Sequence, residues 1–298
     1  MTLFAIAQSA HAQSTADPIG PEQLTSLIAK AEKGDSEAQI FVGQLYQNGN
    51  GVPVDLEKSV VYYRKAAAAG NADGMAQLGW SYFHGLGVPV DRDEGIRWLR
   101  KAAEAGDSVA MTNLGALYAR GQGVPADIDQ ARMWYEKGAA AGDETAMSNL
   151  GFLYQWGQGV VTDLETAFKW YSRAAEKGDP AAIMSVGGFY FEGIGRDKDV
   201  AKGMAMVRRA AMLGLVDAAI NLGAAYRDGN GVDRDEVEAL MWFIIAVERK
   251  HPDDERIPID LESARDALKE RLNEAQRKRA QEKADAILGQ LRYKVKSG

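Results

Sequence analysis

The residues of this chain that are able to do chemistry are few and scattered. Its three histidines, His11, His84 and His251, lie far apart, so spacing alone builds neither a metal-binding pair nor a base beside a nucleophile. Cysteine is absent, which removes thiolate ligands, thiol nucleophiles and disulfide staples while leaving the compartment open. Carboxylates are plentiful, yet no motif pairs two of them for acid–base work. Asp228-Gly229-Asn230-Gly231 with Asp233 and Asp235 is faintly similar to a calcium loop, but Val232 stands at a ligand position and Ala239 where the bidentate Glu belongs. Gly-x-Gly segments precede several helix starts, as in phosphate-cradling loops. They lack the Lys and further glycines of those loops, and an Asp already stands where an anion would sit. No catalytic residue, metal ligand or cofactor is therefore expected, although a site assembled across distant segments leaves no trace in spacing.

What must position any working residue is a repeat. Copies beginning at Asp35, Asn71, Asp107, Asp143, Asp179 and Leu215 align at 36 residues without an insertion. Gly43, Gly79, Gly115, Gly151, Gly187 and Gly223 share one column, and Tyr46, Tyr82, Tyr118, Tyr154, Tyr190 and Tyr226 another. Self-similarity at such a period marks a solenoid. In the third copy Ala110, Met111, Leu114, Leu117 and Tyr118 fall at helical spacing and make one apolar stripe, helix A. The central Gly115 costs about 1 kcal/mol relative to Ala and implies close approach by another helix. Gly121, Gly123, Val124 and Pro125 then form a loop, and Asp127 caps helix B. Helix B carries Trp98, Trp134, Trp170 and Trp242 in one column, with Tyr62 and Met206 in the remaining copies. In helical register with Leu and Ala, these rings read as inter-helix packing.

Taken together, Ala-x-x-Asn-Leu-Gly-x-x-Tyr-x-x-Gly-x-Gly-Val, then Asp, then Ala-x-x-Trp-Tyr and Lys-Ala-Ala-x-x-Gly, resemble the Sel-one-like repeat, a branch of the tetratricopeptide superfamily. The resemblance covers residues 35–250. It implies an all-α, right-handed superhelical solenoid of six helix-turn-helix repeats in which helix A lines the concave side. It also implies a non-catalytic adaptor for a protein or peptide, and several bacterial members are exported regulators of a membrane sensor. Some cysteine-rich secreted members are credited with binding or hydrolysing β-lactams; the lack of Cys here weighs against that alternative. The fifth copy departs from the pattern, with Gly187-Gly188 inside helix A and Arg196-Asp197 in place of Val-Pro.

Residues 1–20 fall outside the repeat. Ala10-His11-Ala12 before Gln13, after the apolar Leu3 to Ala7, reads as part of a signal peptide with its cleavage site; a disordered, unprocessed leader is the alternative. Periplasmic or secreted localisation is therefore the expectation, and cytoplasmic the alternative. Residues 21–34 supply an N-terminal capping helix. Residues 251–298 form a charged C-terminal cap, after a turn at His251-Pro252-Asp253-Asp254. Two helices are expected there, about Asp260 to Leu272 and Glu274 to Leu291, with Asn273 and Gln276 closing a capping box. From Arg249 onward 13 Lys and Arg face 10 Asp and Glu, so with a net charge of −7 the repeats themselves are acidic and suit no nucleic acid. The basic run Arg277-Lys278-Arg279 lies between Glu274 and Glu282 and reads as a solvated helix face. No apolar run approaches the roughly 20 residues needed to span a bilayer.

Function is better sought where the copies differ. In helix A, repeat positions 3, 7, 10 and 14 face away from the packed stripe. Down that face come Gln77, Trp80 and His84, then Asn113 and Arg120, then Asn149, Phe152 and Trp156, then Ser185 and Glu192, then Asn221 and Asp228. Aromatic anchors among polar neighbours are what protein and peptide hot spots use. The Asn column has a second reading, as a bridge between adjacent repeats.

Overall fold

The computed structural model describes residues 19–250 and 260–297, with side chains described as far as residue 291. The expected leader and the turn at His251–Asp254 lie outside the described residues. Every regular element among them is a helix. After α1 (Pro21–Glu32) come α2 (Ser36–Asn48) and α3 (Leu56–Ala68), α4 (Ala72–His84) and α5 (Arg92–Glu104), α6 (Ser108–Arg120) and α7 (Ile128–Ala140). Then follow α8 (Glu144–Trp156) and α9 (Leu164–Glu176), α10 (Pro180–Glu192) and α11 (Val200–Met212), α12 (Val216–Asp228) and α13 (Glu236–Arg249), and finally α14 (Leu261–Arg271) and α15 (Glu274–Ser297). The chain forms two compact units, Met1–Thr162 with α1 to α8 and Asp163–Gly298 with α9 to α15. Within each, helices pack in chain order, so the architecture is an all-α solenoid of helix pairs.

Capping explains why every copy breaks its helices at the same places. The Asp35, Asp107, Asp143 and Asp179 carboxylates each accept from the N–H three residues on at a helix A start, and Asp55, Asp91, Asp127, Asp163, Asp199 and Asp235 do the same at helix B. Leu215 offers no such acceptor to α12. Helix A ends on a left-handed glycine, as at Gly121 with φ 65°, a conformation that costs a Cβ-bearing residue energy. The C-terminal capping box forms as expected, Asn273 N–H donating to Gln276 Oε1 and Gln276 N–H to Asn273 Oδ1, each at 3.0 Å.

One cap doubles as a tie between neighbouring repeats. Asp143 is buried, accepting from Ala146 N–H at 2.7 Å and from the Thr112 hydroxyl at 2.9 Å. Burial raises its carboxyl pKa above the usual range, outweighing these hydrogen bonds, and does the same at Asp107. A carboxyl whose folded-state pKa is raised contributes stability that is fully present below the unfolded pKa and lost as pH rises through the folded one. Asp143→Asn keeps the capping oxygen and cannot ionise. The variant is expected to be more stable than the parent near neutral pH, the advantage disappearing as pH falls toward about 4. Urea unfolding at both pH values measures this; an advantage independent of pH contradicts it.

The central glycines of helix A mark where helix B comes in. A Cβ on Gly115 would sit 2.5 Å from the Tyr135 ring, and one on Gly79 would sit 2.9 Å from the Gly95 carbonyl oxygen. The indole column then packs in the second, third and sixth copies, with Trp134 and Trp242 buried and Trp98 half-buried; on α9 Trp170 is half-buried too. One turn on, a cation covers each of three rings, Lys101 at 4.0 Å from Trp98, Lys137 at 4.3 Å from Trp134 and Arg173 at 4.5 Å from Trp170. In the fifth copy Arg196, standing in place of the loop Val, lays its guanidinium over Phe168. At the ends, α1 packs on α2, placing Leu27 and Ile28 beside Val42, while α14 and α15 cover α13 with Leu261, Leu268, Ala284 and Leu288 buried. Leaving those helices uncovered would expose apolar surface at either end of the array.

Candidate partner-binding surface

The variable positions of helix A separate into buried and open ones. In the first unit, Trp80 is half-buried and stacks on His84 with centroids 5.3 Å apart, and Phe83 meets it edge-on at 5.5 Å. Desolvation, and after it the Arg92 charge, lower the His84 pKa, so the ring that Trp80 stacks on is held neutral to lower pH. Beside it Phe83, His84, Val90, Arg92, Gln122 and the glycines of the next loop enclose about 510 Å³. Gln77 is half-buried and donates to Asp73, one turn back on the same helix, at 3.1 Å. Arg120 is exposed at the end of α6. On α8, Phe152 and Trp156 lean together at 6.2 Å, and Trp156 remains 62% exposed while Trp242 is at 0%.

Two of the expected contact residues are corrected. Asn113 and Asn149 are each only 2% exposed and present nothing to a partner. Position 7 shares a face with positions 10 and 14 in projection, but it lies deeper in the stack. The alternative reading, a bridge between repeats, is not met at Asn113, whose buried Oδ1 has no hydrogen-bond partner. The column opens again at Asn221, which is exposed and donates to the Met184 sulfur at 3.6 Å.

In the second unit, α10, α11 and α12 enclose a groove of about 340 Å³. Met184, Phe191, Met204 and Val207 contribute its apolar surface, and Glu192, Asn221 and Asp228 its polar part. Asp228 is gripped by Arg227 through two 2.7 Å hydrogen bonds, which hold its carboxyl below the usual pKa. Sequence reasoning singled out the three polar residues but missed the floor. The floor exists because position 10 carries Gly188 and Ala224, where Trp80 and Phe152 stand in other copies; lack of bulk is a signal no motif highlights. Among the described residues no group of three or more His, Asp or Glu is arranged to hold a metal ion, and no helix is long and apolar enough to cross a membrane.

The geometry defines a class before it defines a family: capped helix pairs stacked at a fixed interval, with ring-and-glycine packing inside and varied side chains on helix A. The chain belongs to the Sel1 repeat family, whose model matches residues 36–71, 72–107, 108–143, 145–179, 180–215 and 216–251. Sel1 repeat proteins generally serve as scaffolds for protein interactions. Among solved structures, the chain is similar to a Sel1 repeat protein from Oxalobacter formigenes, with 35% identity and a TM-score of 0.73 over 77% of this chain and 94% of that one. It is also similar to c5321, a protective antigen of uropathogenic Escherichia coli strains displaying an SLR fold, at 30% identity and a TM-score of 0.75. That match covers 93% of this chain and 58% of the other. A search of curated proteins returned no match.

Proposed function

We propose that the chain is a non-catalytic scaffold whose helix A surface takes a protein or peptide partner, with Trp80 and Trp156 as its anchors. The observation that carries this reading is the contrast among its indoles. Trp134 and Trp242 are spent on packing, at 5% and 0% exposure, whereas Trp156 stands 62% exposed at the end of α8 with Phe152 against it. The exposed ring and Phe152 form an aromatic pair at positions where the copies differ, the kind of anchor that hot spots use. Trp80 sits in the same unit on α4, held between Phe83 and His84. Rings fixed in this way lose little entropy on binding, which is how a rigid scaffold gains affinity without a large interface.

Affinity capture from the native cells, using the full chain and the Trp80→Ala, Trp156→Ala double variant, tests the assignment. Hot-spot indoles are worth about 2 kcal/mol or more each, roughly thirtyfold in affinity apiece, so the double variant is expected to lose more than about thirtyfold in affinity for the captured partner while the helical circular dichroism is unchanged. Undiminished capture by the double variant moves the binding surface away from these rings.

A further inference from the structure

We infer that the groove formed by α10, α11 and α12 is a subsite for a lysine or arginine side chain of a peptide segment, an assignment that rests on the scaffold reading above. Three observations converge on it. The first is shape and lining: about 340 Å³ bounded by Met184, Phe191, Met204 and Val207, with Glu192 and Asp228 among its lining residues. The second is charge. Glu192 is exposed and makes no ion pair with any described residue, whereas Asp228 already shares its charge with Arg227. One carboxylate is thus left to meet an incoming cation. The third is Gly188. A Cβ there would meet nothing within 4 Å, so no neighbour requires the glycine, although glycine weakens a helix. What its missing side chain does is leave the groove open.

A basic side chain matches this combination better than an aliphatic or anionic one. Its methylene stem can lie along the thioethers of Met184 and Met204, which adapt to unbranched chains, while its charge reaches Glu192. The Phe191 ring, which already carries Lys198 Nζ 5.9 Å from its centroid, adds apolar surface for the stem. An uncharged plug of the same shape fills the floor and leaves the carboxylate half-desolvated without a partner. Anionic ligands, nucleic acid included, meet the wrong sign of charge.

The full chain, carrying ¹³C-methyl methionine, is titrated with Ac-Ala-Lys-Ala-NH2 and with the norleucine tripeptide that lacks only the charged end. The lysine peptide is expected to shift the Met184 and Met204 methyls saturably while leaving Met111, in the other unit, unmoved. Norleucine should bind about fivefold more weakly, the ratio an exposed ion pair supports, and Glu192→Gln should bring lysine down to the norleucine level. Gly188→Leu should abolish both titrations. Because Glu192→Gln leaves helix packing untouched, it decides the matter even if Gly188→Leu does not fold. Silent methyls, equal affinity for the two peptides, or a lysine response unaltered by Glu192→Gln overturns the subsite. The scaffold reading is judged separately, by capture with the tryptophan double variant, so failure of the subsite is distinguishable from failure of the scaffold.

Discussion

Trp242→Ala is expected to destabilise the protein by about 3–5 kcal/mol, whereas the same change at Trp156 costs less than about 0.5 kcal/mol. The two residues are chemically identical and differ in what surrounds them. Trp242 is fully buried on α13, the helix on which α12, α14 and α15 all pack, so truncation leaves a cavity that several helices would have to collapse to fill. Trp156 is 62% exposed at the last position of α8 and has little packing to lose. Urea unfolding of the two variants beside the parent measures the contrast. Comparable losses at both sites contradict the division between packing rings and surface rings.

The second large effect separates two neighbouring glycines. A Cβ on Gly187 would sit 2.9 Å from the Gly203 carbonyl oxygen and 3.1 Å from the Met206 Cβ, and a backbone oxygen cannot swing aside as a side-chain tip does. Gly187→Ala therefore forces α10 and α11 apart and costs about 1–3 kcal/mol, more than the helix propensity it gains. Gly188→Ala meets nothing within 4 Å and is expected to stabilise by up to about 1 kcal/mol. Opposite signs at adjacent positions, read as shifts of the unfolding midpoint, are the expected result. Two changes of the same sign would show that the helix pair is not held at backbone contact.

These glycines also mark how far the sequence could be read. The Gly column announces that something approaches helix A, and the capping Asp column announces where each helix B starts; the first holds at Gly43, Gly79, Gly115, Gly187 and Gly223 and the second in every copy, because a cap depends on a residue's own backbone and nearest neighbours. What approaches is a tertiary matter. Gly43, Gly115 and Gly223 lie under the rings of Tyr63, Tyr135 and Phe243, while Gly79 and Gly187 lie against the backbone of Gly95 and Gly203. The second and fifth copies thus pack more closely, with Leu99 and Val207 at the place of the ring and with Phe83 and Phe191 on helix A close to the loop glycines Gly123 and Gly231. A single column cannot disclose that exchange, since it is spread over residues on two helices and the next loop.

The candidate surface was legible in part for the same reason. Helical spacing correctly groups Trp80 with His84 and Phe152 with Trp156, because residues four apart share a face. It says nothing about depth, and so Asn113 and Asn149 were expected on a surface from which they are buried. The groove floor at Met184, Phe191 and Met204 was invisible because it depends on what Gly188 and Ala224 leave out.

The central claim is that helix A, at its variable positions, is the face a partner touches. Photo-crosslinking from single positions tests this most directly, with benzoylphenylalanine placed at Trp156 on α8 or at the exposed Glu136 on α7, a helix B, in the full chain within its native cells. A partner band is expected from position 156 and none from position 136. A band from 136 with none from 156 would place the working surface on helix B and contradict the account.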